Sequence, residues 1–586
     1  LSYEPIPEEH CQHDFYDGFD PRDLGSAFKC SRLDVFRPED GRLFWPLDFH
    51  YPRGFVPLSF TVVADGPVWG TQISADATPL PTSRGLQARM VGPHLYVSEI
   101  QIEDAWEVQM RAEKAGQTIP AFLGDFPRIW DERVRELETW LHHLEAFDLT
   151  GADLSEIGDF YGKSIRFLRR AWEIHFEVMY PLVANYVGFY GLCSELNIDP
   201  NQIGRFLQGY DTKIMETDRE LWGMTRRVRD LGLEDLFAVT APADIARELA
   251  SAGPDATQFL EEFDRFLDTY GRRSEGLIDL TSAPWIEDPT SPLGSIKTFL
   301  LMDSDHDFEQ ANREVVAERE EAIAQARSRL TVEELEQFDA ALASCQHANF
   351  NWWNEEHNFY IDLRAHLPVR RAAVTLAEAV GAESPDDALF LFGSELDQVL
   401  RRERKWSEFG DLISARRAYF REWSARRADM PKMLGSVPDE AVDPVMKEVF
   451  GMGEHFFAAV SGTPTDVLKG VPAATGTAEG PARVLFSADD LHTVMPGEIL
   501  VCEATSPNWT PAFAKIAACV CDSGGTLTHA SIVSREYRIP CVTGVAVATK
   551  QIRTGDQILV NGTTGEVTLL DRLDGEDGES TEPGPT

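Results

Sequence analysis

The sequence predicts a multidomain α+β protein, and three observations carry that prediction. Residues 1–130 are rich in Pro, Gly and aromatic residues, with short alternating runs, and read as a mixed β and irregular region. Residues 131–460 carry apolar side chains at helical spacing and read as a large, mainly α-helical region. Toward the C-terminus the short apolar run Ala517–Cys521 ends in a glycine turn that leads into a helix, so a strand and a helix follow each other there. A chain of 586 residues exceeds one ordinary core, so two to four domains are expected.

In the first region the runs Ser59-Phe60-Thr61-Val62-Val63 and Gln87-Ala88-Arg89-Met90-Val91 read as β structure. From Glu132 the period changes: Val134, Leu137, Trp140, Leu141, Leu144 and Phe147 recur on one helical face. Ile157, Tyr161, Ile165, Leu168, Trp172, Phe176 and Met179 repeat the pattern. Thr331 with Glu334 has the spacing of a capping box, and Ser384-Pro385 with Asp387 opens another helix in the same way. Residues 461–469, which include Ser461-Gly462-Thr463-Pro464-Thr465-Asp466, lack an apolar pattern and suit a hinge linker. Residues 571–586 are Gly-rich and acidic with almost no apolar side chain, the composition of a disordered tail.

Charge and cysteine usage narrow the function. Asp and Glu total 97 against 54 Lys and Arg, a net charge of -43, so a phosphate backbone is repelled and no nucleic-acid partner is expected. The eight cysteines show no C-x-x-C pair and no metal-ligand spacing; Cys519 and Cys521 alternate on one strand, and no metal site is expected. Reduced thiols, the lack of a basic and apolar leader at Leu1-Ser2-Tyr3-Glu4-Pro5 and the lack of a bilayer-length apolar run lead to an expected cytoplasmic location without membrane contact.

The chemistry concentrates in Gly524-Gly525-Thr526-Leu527-Thr528-His529-Ala530-Ser531-Ile532-Val533-Ser534-Arg535-Glu536. The apolar run Ala517-Ala518-Cys519-Val520-Cys521 reads as a buried strand that ends at this glycine turn. Gly524 and Gly525 allow close approach of backbone to a bulky anion, Thr528 stands where an N-cap belongs, and His529 occupies the first turn of a helix, where free N–H groups favour negative charge. A neutral imidazole there is a nucleophile able to take a phosphoryl group and pass it on. Arg535 is placed to supply countercharge. A lone Gly-Gly-x-x-x-His is also what an ordinary packing histidine looks like.

The surrounding residues resolve that choice. Gly476 and Gly480 before Ala482-Arg483-Val484, Gly497-Glu498-Ile499-Leu500-Val501, Thr505-Ser506-Pro507-Asn508-Trp509-Thr510-Pro511, the His529 segment, Ile539-Pro540-Cys541-Val542, Gly555-Asp556 and Asn561-Gly562-Thr563-Thr564-Gly565 form an ordered series. With it, residues 470–570 resemble the phosphohistidine swivelling (mobile) domain of the phosphoenolpyruvate-utilising enzymes. Ser531 departs from the alanine usual in that family. The resemblance implies that His529 is the phosphorylated residue of a β/β/α carrier domain. In larger relatives an ATP-grasp domain charges the carrier histidine from ATP, yet no nucleotide-binding pattern or P-loop is seen here. The arrangement is similar to the carrier subunit of phenylphosphate synthase and to rifampicin phosphotransferase without its ATP-grasp portion. It implies a separate ATP-grasp subunit as partner, ATP as donor, and Mg2+ mainly at the charging step on that partner.

Two places suit a small-molecule hydroxyl acceptor. Were Asn349 to Leu367 one helix, Trp353, Glu356 or His357, Tyr360 and Arg364 would share a face able to hold an aromatic alcohol, take its proton and meet phosphoryl oxygens; a buried ion-pair network completed by Asn358 and Asp362 is the equal alternative. The second is His50 within Phe49-His50-Tyr51-Pro52-Arg53, otherwise an aromatic-proline packing loop. The function expected is a phosphotransferase acting on a phenol or aromatic alcohol. The alternatives are a phosphocarrier without acceptor chemistry, or transfer to pyruvate or a sugar.

Overall fold

The structure, a computed structural model, describes residues 38–572 apart from 200–201, 275, 302–307, 426, 428–429 and 437–449. Near its start the strand Phe44–Pro46 pairs antiparallel with Met433–Gly435, in the register Trp45 to Leu434, so the N-terminal region is tied to the last part of the helical region. The run Ser59–Val63, expected as β structure, lies in the helix Pro57–Val63, which continues through a π-helical turn into the helix Trp69–Ala77. The reason is burial on every side. Leu58, Ser59, Phe60, Thr61, Val62 and Val63 are all buried, so the run has no solvent face for a period of two to mark, while Pro57 sits where a helix begins. Gln87–Val91 does lie in a strand, Ser83–Val91, which forms a hairpin with His94–Gln101.

Helices take over at Ala105–Gly124 and Phe126–Glu145, earlier than Glu132. The next helix, Leu154–Glu195, spans 42 residues and starts from an Asp153/Glu156 capping box. It runs through a core that gathers Phe60, Val62, Phe160, Phe167, Tyr186 and Phe189 with Phe338, Trp353, Phe390 and Phe392. A second cluster, including Trp222, Phe237, Phe259, Phe263 and Phe299, lies among the helices between Lys213 and Phe299. Thr331 and Glu334 form a capping box at the helix Val332–His347. Ser384 and Asp387 do the same for a 3-10 turn, Pro385–Phe390. Asn349 to Leu367 is not one helix. It runs as Phe350–Tyr360, breaks, and resumes as Leu367–Ala379, with Pro368 in the first turn, where its missing N–H breaks no helical bond.

An eight-stranded mixed sheet forms the C-terminal part. Its order in space is Val467–Lys469, Glu566–Asp571, Gln557–Asn561, Thr477–Leu485, Ile499–Cys502, Ala518–Cys521, Cys541–Thr543 and Val471–Ala474. The four strands from Thr477–Leu485 to Cys541–Thr543 run parallel, and the outer pairings are antiparallel. Both faces are covered. Cys502, Cys519, Cys521 and Cys541 pack under Trp509, Phe513, Ala530 and Val533, while Val501, Val520, Val542, Ile558 and Val560 pack under Ala548 and Ile552. This two-sided burial is why the parallel strands read as continuous apolar runs. Two expectations are corrected in this sheet: Val467–Lys469, within the expected linker, is a strand, and Asp571, the first residue of the expected tail, ends one. The rest of that tail, 573–586, and residues 1–37 lie outside the described residues. Among the described residues no helix is long and apolar enough to cross a membrane.

Candidate active site

The strand Ala518–Cys521 leads through Asp522-Ser523 into the glycine turn and then the helix His529–Glu536, at the carboxyl edge of the parallel strands where ligands of such sheets collect. Gly524 has φ +100, and a Cβ there would lie 2.7 Å from Thr528 Oγ1, so both its backbone conformation and its surroundings demand glycine. Thr528 occupies the N-cap position with extended backbone, but its hydroxyl donates to the Gly525 carbonyl at 2.8 Å instead of capping the helix. Ser531 Oγ donates to the same carbonyl at 2.6 Å, so the hydroxyl found in place of alanine helps to close the turn.

His529 is 6% exposed. Its Nδ1 lies 2.9 Å from Thr505 Oγ1 and its Nε2 3.3 Å from Thr510 Oγ1. Thr510 already donates its proton to the Pro507 carbonyl, so it accepts from His529. Nε2 therefore carries the ring proton, and Nδ1 accepts from the Thr505 hydroxyl. Both threonines come from the Thr505–Pro511 segment, which sequence reading recognised as a motif without giving these side chains a role.

On its other side Nε2 faces the helix Phe350–Tyr360, where Glu355 Oε2 is 3.7 Å away. Glu355 is 4% exposed and neither carboxyl oxygen has a hydrogen-bond partner. Burial pushes its pKa up to about 8 and pulls that of His529 down to about 3. The contact is therefore between a neutral imidazole and a protonated carboxyl. Beside it lies a pocket of ≈ 30 Å³ lined by Asp218, Asn351, Glu355, Thr510, Arg535 and Glu536, among others. Burial raises Asp218 and Glu536 as well, each to about 7.

The His529 loop is seated in the helical region. Leu527 belongs to the main helical core cluster, Tyr186 and Thr526 hydroxyls are 3.4 Å apart, and Gly209 N–H donates to Glu536 at 2.9 Å. Farther out, Arg427 makes a two-pronged bond to Glu503, at 2.9 and 2.8 Å, with Lys432 at 3.3 Å. Burial alone would raise Glu503, but the two cations hold it down at about 2.

Arg535 donates to the carbonyls of Ala473 and Thr526 and lies against Gly204, where a Cβ would sit 2.8 Å from the guanidinium carbon. It lines the pocket with Glu355. The residues expected to bind the acceptor lie elsewhere. Glu356 accepts from Lys213 N–H at 2.6 Å, His357 stacks on Trp353 with Nε2 3.3 Å from Asp362, and Tyr360 is buried edge-on to Trp130. Arg364, beyond the helix end, pairs with Glu145 at 2.8 Å. His50 bonds Asp48 at 2.7 Å and lines a separate pocket of ≈ 60 Å³ that also touches Ser506 and Trp509. Thus Glu355, not its neighbour Glu356, meets His529.

Two segments of the chain match known families. Residues 494–565 match the "PEP-utilising enzyme, mobile domain" family and residues 175–355 match the "Rifampicin phosphotransferase fourth domain" family. Over residues 494–565 the chain is thus similar to the mobile domain of the phosphoenolpyruvate-utilising enzymes, and over residues 175–355 to a helical domain of rifampicin phosphotransferase. Among relatives, chondramide synthase cmdD of Chondromyces crocatus is 28% identical over 555 residues, covering 91% of this chain and 14% of that protein. Rifampicin phosphotransferase of Streptomyces sviceus is 27% identical over 336 residues, 56% of this chain and 36% of that protein. Phosphoenolpyruvate synthase of Pyrococcus furiosus is 46% identical over 101 residues, 17% of this chain and 12% of that protein. The chain thus spans well under two thirds of each relative.

Proposed function

We propose that this chain is the carrier and acceptor part of a phosphotransferase in which His529 receives a phosphoryl group from ATP through an ATP-grasp partner and passes it to an organic hydroxyl, a phenol or aromatic alcohol. The observation that carries this reading is the placement of His529 Nε2 against the unpartnered Glu355 carboxyl at the junction of the two regions. The docked geometry corresponds to the discharged carrier, with a proton on Nε2 where the phosphoryl group would be.

Transfer to the acceptor breaks the N–P bond and forms an O–P bond. The acceptor's hydroxyl proton ends on Nε2, relayed by Glu355, whose raised pKa suits it to exchange a proton near neutral pH. The pocket of ≈ 30 Å³ has room for water and not for an aromatic ring, so the acceptor enters as the carrier helix lifts and Arg535 and the helix start then face the phosphoryl oxygens. Residues 461–466, between the helix Glu454–Ser461 and the first strand, are the proposed hinge.

Mg2+ takes an all-oxygen shell. The ligand clusters among the described residues are Cys502/Cys519/Cys521 and His175/His357/Asp362, neither of which fits, so magnesium is assigned to the charging partner and no step here runs through it. The test is incubation with labelled ATP and the ATP-grasp partner, followed by phenol or benzyl alcohol. Acid-labile label on the chain that moves to the alcohol supports the reading. Label that never leaves the chain favours a phosphocarrier without acceptor chemistry.

A further inference from the structure

We propose that His175, His357 and Asp362 form a binding site for one divalent transition-metal ion, with Zn2+ the probe of choice. The three residues come from the long helix Leu154–Glu195, the helix Phe350–Tyr360 and the turn that follows it. They are 8%, 2% and 8% exposed, and their possible ligand atoms lie within 4.8 Å of one another. His175 Nδ1, His357 Nε2 and Asp362 Oδ1 have no hydrogen-bond partner.

The decisive detail is the other nitrogen of His357. Its Nδ1 lies 2.9 Å from the Trp353 carbonyl, which can only accept, so the ring proton is on Nδ1. Nε2 then faces Asp362 Oδ2 at 3.3 Å, while His175 Nδ1 faces Oδ1 of the same carboxylate at 3.6 Å. A tetrahedral ion with bonds of about 2.0–2.1 Å places adjacent ligand atoms about 3.3–3.4 Å apart, close to both separations. Metal-bound histidines commonly anchor their second nitrogen on a backbone carbonyl, as His357 does on Trp353.

Two imidazoles and one carboxylate suit a metal of intermediate softness. Residues two apart on a helix do not face the same way, so an ion at His357 braces the Phe350–Tyr360 helix from a side other than that on which Glu355 meets His529. It would fix the rotation of that helix.

The full chain is stripped with EDTA, titrated with Zn2+, desalted and analysed for metal. One ion per chain, lost in His357→Ala and Asp362→Asn but kept in Cys519→Ala, is the expected result. Failure of the wild-type chain to retain zinc, or equal retention in the two site variants, overturns the proposal. Should those variants fail to fold, the visible spectrum of the Co2+-loaded wild-type chain decides. Bands of a nitrogen- and oxygen-ligated ion support the site, and a thiolate charge-transfer band, or no bound Co2+, contradicts it.

Discussion

His529 Nε2 and Glu355 Oε2 lie 3.7 Å apart, both buried and both held uncharged, although they belong to different regions of the fold. A buried carboxyl with no hydrogen bond costs stability, and its place beside His529 is what the proposed transfer would use.

Glu355→Gln keeps the shape and removes the exchangeable proton. Charging of His529 should be unchanged, while transfer from the charged chain to an alcohol should slow by about 10²–10⁴-fold. Single-turnover kinetics with pre-charged protein separate the two steps. Glu356→Gln, at the residue that binds Lys213 N–H, should leave the transfer step far less affected.

Docking of the carrier region should weaken as pH rises from about 6.5 to 8. Glu355 has an ordinary pKa of 4.5 and about 8 when docked, so the docked form holds the extra proton. Its contribution is complete below the ordinary value and is lost as pH climbs through the docked one. Asp218 and Glu536, each at about 7, act with the same sign. His529 acts oppositely, favouring docking above its ordinary 6.5 and opposing it as pH falls toward about 3. Each group shifts the equilibrium by up to about tenfold per pH unit. Hydrogen exchange of the Leu527 amide against pH reads the effect, and Glu355→Gln should flatten the slope.

Glu503→Ala leaves Arg427 buried without its carboxylate partner. Loss of one member of such a pair costs about 3–5 kcal/mol. Faster exchange or proteolysis at 461–466 and around Thr526 should follow, with the sheet of the carrier region still folded.

Gly524→Ala forces a side chain onto a backbone with φ +100 and into Thr528. A cost of about 1–3 kcal/mol should fall locally on the turn that delivers His529. Reduced charging with near-native circular dichroism is the expected pair of results.

The sequence made legible what is local. The strand Ala518–Cys521, the glycine turn and the helix beginning at His529 follow from short-range sterics and patterning. Glu355 was hidden because periodicity counted from Trp353 picks out Glu356 and His357, whereas the partner of His529 is decided by how a distant helix docks. The break after Tyr360 removed Arg364 from the expected face. Ser59–Val63 misled because burial on all sides erases the contrast between helical and strand periods. His175 meets Asp362 across the fold, which linear spacing does not encode.

The most direct measurement is mass spectrometric mapping of the phosphoryl group after charging from ATP by the ATP-grasp partner, under alkaline conditions that preserve phosphohistidine. A single modification on His529, absent in His529→Ala and discharged by adding the acceptor alcohol, is the predicted result. Label at another residue, or undiminished labelling of His529→Ala, would contradict the account.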